Sequence, residues 1–382
     1  MKKQIIIFYS IFFSLYGILN FYIYIRGFQG LEAHSEFKLA YTLLFCFLAA
    51  SFIAGRMLER KKCTFLSREL VYIGSFWLAA MLYFFLFAAL TDIVRFLMML
   101  IWSHPNFIFK NYTNFKFLLT SVIFFVTVCI LIFGWINAAN LRLKKLYIKI
   151  NKKAGRKNFK IAVVSDIHLG VIIGKKRLQK IIDIINKIDA DLVLFPGDVV
   201  DEDIRPVIEN DLGSLFKMIN SKNNIYSITG NHEYIGGVEA ACHYLNEHNV
   251  NVLRDQTILI DNFLYLVGRE DISYNRAERK RKPLEVLLKY VDKNFPIILM
   301  DHQPYKLNEA EENGVDMQLS GHTHHGQMFP LNLITKKIYE KSWGYLQKGT
   351  THYYVSCGAG TWGPPIRIGN HPEVIELNLE FD

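Results

Sequence analysis

Apolar positions fall into two textures along these 382 residues, and the change comes near Asn140. Before it lie four long, nearly uncharged runs, at residues 5–25, 37–55, 70–90 and 115–136. A bilayer's hydrocarbon core takes about 20 apolar residues in a helix, so each run predicts a transmembrane span and residues 1–141 a four-helix anchor. The first run follows Lys2-Lys3 and leads into Tyr24-Ile25-Arg26-Gly27-Phe28. With no small-residue cleavage site there, an uncleaved helix fits better than a signal peptide. Asp92 and Arg95 stand one helical turn apart in the segment 91–106. They read as the wet end of span three or an interfacial helix rather than an ion pathway, since no second charged helix is expected to face them.

From Leu143 onward short apolar strands alternate with helix-like stretches, the pattern of an α/β domain. Residues 142–158 read as a linker and leading strand, with alternation over 146–150, and 159–382 as the domain itself. Strand after strand ends in a polar cluster. Ile161 onward runs into Ser165-Asp166-Ile167-His168. Leu192 onward runs into Pro196-Gly197-Asp198-Val199-Val200-Asp201, and Ile225 onward into Thr229-Gly230-Asn231-His232-Glu233. Ile297 onward runs into Asp301-His302, and residues 315–320 into Gly321-His322-Thr323-His324-His325-Gly326. Sites in α/β proteins lie beyond the carboxyl ends of strands, and five neighbouring strands of one sheet would bring these clusters to one rim. Gly-Asp and Asn-His are also ordinary turn residues, so the repetition is what points to a site. The last cluster is the densest. Imidazole is the commonest metal ligand among side chains, and in an extended segment His322 and His324 would point the same way.

Composition sharpens this picture. Hydrophobic residues make up 51% and mean hydropathy is +0.15, the excess lying in the first part. The net charge of +9 suits nucleic acid, anionic lipid or an anionic substrate. No helix-turn-helix, zinc-finger spacing or RNP-like motif is found, so no nucleic acid partner is expected. Five cysteines without C-x-x-C spacing exclude a disulfide framework and a zinc knuckle, and fit a reducing compartment. Arg56, Arg60, Lys61, Lys62 and Arg68 follow span two; Arg142, Lys144, Lys145 and Lys149 follow span four. The other loops carry little beyond Arg26, Lys38, Lys110 and Lys116. This bias predicts a multi-pass protein of the cell's inner membrane, with both ends and the α/β domain on the cytoplasmic side.

Taken in order, Asp166-x-His168, Gly197-Asp198-x-x-Asp201, Gly230-Asn231-His232-Glu233, a lone His302 and Gly321-His322-x-His324 resemble the signature of the calcineurin-like metallophosphoesterases. The resemblance runs from about Phe159 to the C terminus, and the ending Gly358 to Gly369 is similar to the bacterial membrane-anchored branch. It implies an α/β sandwich of two mixed sheets flanked by helices. It also implies two divalent cations, one on Asp166, His168, Asp198 and His324, the other on Asp198, Asn231, His302 and His322, with Asp198 bridging. Such a mixed nitrogen and oxygen set suits Mn, Fe, Zn or Co better than Ca. A metal-bridging hydroxide would attack a phosphomonoester, phosphodiester or pyrophosphate, and His232 would protonate the leaving oxygen. Asp201 would orient His232, with Glu233 the other candidate for that role.

The anchor makes a lipid-linked phosphoester one expected substrate, and a soluble phosphodiester is equally open. His325, outside the family pattern, is expected to hold a bond behind the ligands or simply sit in the loop. Arg269-Glu270-Asp271 stays outside the ligand set. Lys175-Lys176-Arg177, Arg279-Lys280-Arg281-Lys282 and Arg367 are candidate substrate contacts, although basic runs are usually solvated or lie against headgroups. The alternative functions are a transporter or channel with a metal-binding soluble regulatory domain, and an inactive metal-bound scaffold. Oligomeric state has no sequence signal.

Overall fold

The computed structural model describes residues 2–101, 112–152, 154–273 and 280–382. The chain divides into two compact units, Met1–Gly134 and Trp135–Asp382.

The first unit is helical: α1 (Lys2–Gly30), α2 (Lys38–Lys61), α3 (Phe65–Ile101) and most of α4 (Tyr112–Ala139). All four are long and apolar enough to cross a membrane. Even α2, at 24 residues, rises about 36 Å against a core of about 30 Å. The helices overrun the apolar runs read from the sequence because end residues such as Arg60 and Lys61 are good helix formers whose long stems reach water without leaving the helix. Helix α3 continues unbroken through Asp92 and Arg95; residues 102–106 lie outside the described residues. One expectation fails here. A charged helix does face Asp92: α1 supplies Arg26, whose Nη2 lies 2.6 Å from Asp92 Oδ2, and Tyr22, whose hydroxyl donates to the same oxygen at 2.6 Å.

The second unit is built on two six-stranded mixed sheets. The strands are β1 (Arg142–Ile150), β2 (Asn158–Val163), β3 (Leu192–Phe195), β4 (Ile225–Ile228), β5 (Val250–Leu253), β6 (Gln256–Ile260), β7 (Leu264–Gly268), β8 (Ile297–Met300), β9 (Met317–Ser320), β10 (Gly344–Lys348), β11 (Thr351–Val355) and β12 (Glu373–Phe381). One sheet runs β1-β12-β2-β3-β4-β5 and the other β10-β11-β9-β8-β7-β6. Residues 142–145, read as linker, are already strand: β1 pairs in parallel with β12 from Arg142↔Glu373 to Ile150↔Phe381.

The sheets share one core. Ile161, Val163, Leu192 and Leu194 of the first meet Leu264, Leu266, Ile298, Met300, Met317 and Leu319 of the second. Alternate residues of the first sheet, Ala162, Val193 and Phe195, face the other way. They pack on helix α5 (Lys175–Ile188), which buries Leu178, Ile181, Ile182, Ile185 and Ile188 at helical spacing. On the far side, Val267, Ile297, Leu299 and Tyr353 pack on Leu284, Leu288 and Leu307. Each fully buried Leu or Ile contributes roughly 1.5–3 kcal/mol. This is the expected α/β sandwich, with one correction. The five strands that end in polar clusters are not neighbours in one sheet: β2, β3 and β4 belong to the first and β8 and β9 to the second. Strands buried on both faces read as continuous apolar runs in either sheet, so the pattern does not tell the sheets apart.

Candidate metal centre

The strand ends break the alternation of the sheet. Asp166 (φ 52°), His168 (54°), Asp198 (52°), His322 (70°) and His324 (44°) all take left-handed backbone conformations. Each costs about 1–2 kcal/mol, although Asp and His tolerate the region better than most residues. The turns swing these side chains off the sheet faces toward the rim. They also correct the expectation that His322 and His324 point the same way, since neither residue is extended. Gly197 (φ 87°) leaves room for His302, whose Nδ1 would lie 2.6 Å from a Cβ at that position.

Across the rim the two sheets are stitched together. His322 N donates to Asp166 Oδ1 at 2.8 Å, and His302 Nδ1 donates to Pro196 O at 2.8 Å. Asp166, His168 and His324 form one group able to hold a metal ion, and Asp198, His302 and His322 another; within each, the donor atoms lie within 4.8 Å of one another. Asp198 stands between them, its Oδ2 3.1 Å from His302 Nε2 and 3.8 Å from His168 Nε2. Asn231 Oδ1 is 2.7 Å from His322 Nδ1, beside the second group. All seven residues that the sequence singled out as ligands therefore lie in one place. Asp166, His168, Asp198, His302 and His324 are buried, whereas Asn231 and His322 are half-buried, so the centre opens on their side.

The donor atoms fit cations. With Nδ1–H given to Pro196 O, the neutral ring of His302 keeps its lone pair on Nε2. That nitrogen is buried, makes no aligned hydrogen bond and faces a carboxylate oxygen. His168 Nε2 and His324 Nε2 lie 2.9 Å apart and share one proton as neutral rings. A cation can take that proton's place, and it can fill the gap between His302 Nε2 and Asp198. In the second group the charge can be a proton: burial opposes it, but Asp198 holds His302 well above the usual imidazole range. The other two rings favour the neutral, metal-binding form. Burial and His302 push His322 down to about 3, and burial, His168 and Arg367 hold His324 well below its usual value.

Residues 159–326 match the family model described as calcineurin-like phosphoesterase. An uncharacterized metallophosphoesterase of Aquifex aeolicus is 30% identical over 260 residues, which is 67% of this chain and 98% of that protein. The chain belongs to the calcineurin-like phosphoesterase family. An uncharacterized metallophosphoesterase of Helicobacter pylori strain J99 is 33% identical over 225 residues, covering 58% of this chain and 60% of its own length. The match thus spans less than two thirds of that relative. In Campylobacter jejuni an uncharacterized metallophosphoesterase is 27% identical over 380 residues, 98% of both chains, so the similarity includes the apolar helices.

Beside the two groups, His232 adds an ionisable ring to this phosphoesterase domain. It is the second residue of helix α6 (Asn231–Gly236), its amide donates to Asp198 Oδ1 at 2.9 Å, and its Nδ1 lies 2.9 Å from Asp201 Oδ1. Burial opposes charge on His232, but Asp198 and Asp201 prevail and raise it to about 9. Burial likewise opposes charge on Asp201, yet His168 and His232 hold its carboxyl far below the usual range. Asp201, then, is the carboxylate in hydrogen-bond contact with His232. Glu233 instead braces the main chain, its two oxygens accepting from the amides of Asp198 (3.2 Å), Val200 (2.9 Å) and Gly230 (2.8 Å).

Among the described residues, the outlying arginines are framework. Arg367 is fully buried, so it does not reach substrate. Its Nη2 donates to Gly360 O (2.6 Å) and Cys357 O (2.7 Å) and lies 3.3 Å from His324 Nδ1, while Nη1 donates to Asn370 Oδ1 at 2.8 Å. Asn370, for which the sequence gave no signal, donates to His324 O at 3.0 Å. Arg177 donates to Ala359 O, and Arg281 to Asp301 at 2.9 Å. Lys175, Lys176, Lys280 and Lys282 are exposed, and Arg279 lies outside the described residues. His325 Nδ1 meets Ser342 Oγ at 2.9 Å. Arg269, Glu270 and Asp271 are buried in polar bonds: Arg269 to Asp301, Glu270 to Thr229 and Arg254, Asp271 to Gln303. None of the three joins a metal-holding group among the described residues.

Proposed function

We propose that this protein is a membrane-anchored phosphoesterase working with two divalent cations. Asp166, His168, Asp198 and His324 would hold one; Asp198, Asn231, His302 and His322 would hold the other. The observation that carries the reading is the Asp198 carboxylate standing between two imidazole–carboxylate groups, with the buried, unpartnered Nε2 of His302 facing its oxygen. Two such cations, when bound, lower the pKa of a shared water and neutralise charge on the phosphoryl oxygens. The chain's own residues supply the rest. Asp198 is fixed by the His232 amide on one oxygen, which leaves the other for the metal groups. His232, kept protonated by Asp198 and Asp201, is the donor to the departing oxygen. The half-buried edge at Asn231 and His322 is where a phosphoester enters.

Helices α1–α4 are read as the anchor, and the basic residues around the C-terminal end of α2 and after α4 favour the cytoplasmic face of the inner membrane. An active site tied to a bilayer suits a lipid-linked phosphomonoester, phosphodiester or pyrophosphate. The test uses full-length protein in detergent, stripped with chelator and assayed on bis(p-nitrophenyl) phosphate with added Mn, Fe, Zn or Co. Turnover should appear with metal and vanish in Asp198→Asn. No turnover with any of the four metals, or equal turnover in the variant, would overturn the reading.

A further inference from the structure

Helix α7 (Val238–Glu247) buries one face, as a surface helix should. Helix α8 (Leu331–Ile338) does not: none of its residues is buried. Leu333, Ile334 and Ile338 are each 56% exposed. Phe329 just before the helix is 49% exposed, and Trp362, whose carbonyl accepts from Gln327, is 55% exposed. Lys336 and Lys337 stand exposed among them. Ile334 and Ile338 share one face of the helix, and exposed apolar residues gathered on one short segment in this way point to an interaction site.

The helix is fastened to the metal centre at both ends. Gly326 (φ 71°) ends the histidine loop, and a Cβ there would lie 2.5 Å from the backbone of Leu331 and Asn332. At the other end, the Tyr339 ring lies 6.1 Å from that of His322 on the open side of the centre. Outward-facing aliphatic and aromatic residues interleaved with lysines are the chemistry of a helix lying in the headgroup region of an anionic bilayer. A second copy of the chain is a poorer occupant, because like faces would bring the lysines together. Four helices long enough to cross a membrane keep such a surface within reach of this chain.

We propose that α8, with Phe329 and Trp362, docks into the interface of an anionic bilayer and holds the mouth of the metal centre at the headgroups. The test places full-length protein in nanodiscs of phosphatidylcholine alone or mixed with phosphatidylglycerol. Cys46, Cys63 and Cys129 are replaced by Ser, and an NBD label is attached at Ile334→Cys or, as control, at Tyr290→Cys, a site 86% exposed in the same unit. With phosphatidylglycerol, the label at position 334 should shift to the blue and be quenched by nitroxide lipids, and the control should not. Lys336→Gln with Lys337→Gln should weaken docking about 20-fold, with the melting temperature reporting that the fold is kept. Three results would overturn the proposal: no lipid quenching at 334, equal quenching in phosphatidylcholine alone, or protection of the label without lipid quenching, which signals a second copy or another protein. The measurement needs no metal and no turnover, so its outcome is separate from that of the phosphoesterase assay.

Discussion

Asp201→Asn tests the acid half of the proposed chemistry without touching a proposed metal ligand. The amide is nearly the same shape as the carboxylate and can keep accepting from His232 Nδ1, now 2.9 Å away, so the ring stays in place and one negative charge disappears. At that distance a unit charge is worth about 1.4 kcal/mol in bulk water and about 6 kcal/mol at an effective dielectric of 20. Either figure lowers His232 from about 9, at which it is protonated at neutral pH, toward or below its ordinary value. A ring less often protonated at neutral pH matters only where the leaving oxygen needs a proton. For methyl or other alkyl leaving groups, kcat should fall roughly 10- to 100-fold, within the range that general acids contribute. For p-nitrophenolate, which leaves unaided, it should fall less than about threefold. The assay is kcat against leaving-group pKa for wild type, Asp201→Asn and His232→Ala, with bound metal measured on each sample. Equal losses for both leaving groups, or loss of metal in Asp201→Asn, would refute the assignment of His232 as donor.

Asp198→Asn should strip both cation positions at once and cut hydrolysis more than about 100-fold, with metal per chain falling in parallel by elemental analysis. Arg367→Lys keeps the charge but loses the planar fork that ties Gly360, Cys357 and Asn370 together. It should cost about 2–4 kcal/mol, read as a lower melting temperature, while KM for a phosphodiester stays unchanged; a raised KM with an unaltered melt would restore the substrate-contact role. Burial pushes the Cys242 thiol up to about 12 and Cys357 well above its ordinary value. Both should ignore Ellman's reagent at pH 8 until the protein is unfolded. Because Cys242's folded pKa is raised, its stabilising contribution is complete below about pH 8.5 and is lost as pH climbs toward 12, which a pH series of melting temperatures would register.

The site was more legible in the sequence than its scaffold, and the reason is chemical. A dinuclear centre restricts residue type so tightly that Asp, Asn and His at successive strand ends are hard to explain otherwise, wherever those strands lie. Their partition between two sheets left no mark, because β2, β3, β8 and β9 are buried on both faces along most of their length, whichever sheet they belong to. Partnership across distance left none either. Arg26 and Asp92 are 66 positions apart, and nothing local to either run announces the other. Left-handed turns at non-glycine residues were invisible because Asp and His adopt them only where tertiary contacts compel it.

Arg367 shows the same limit at a single residue. An arginine in a glycine-rich stretch reads equally as an anion binder or as a clamp for main-chain carbonyls. The choice depends on where the turns aim their carbonyls, which sequence alone does not give. Gly358 (φ 90°) and its neighbours run back under β2: Ala359 and Gly360 donate their amides to Ser165 and Asp166, and the carbonyls of Cys357 and Gly360 turn inward. Acceptors buried that way cost about 1–3 kcal/mol each if left bare, and a guanidinium is the one side chain with enough donors to reach several at once. The carbonyls, more than any substrate, are what require an arginine at this position, and through His324 they couple the C-terminal segment to the metal centre.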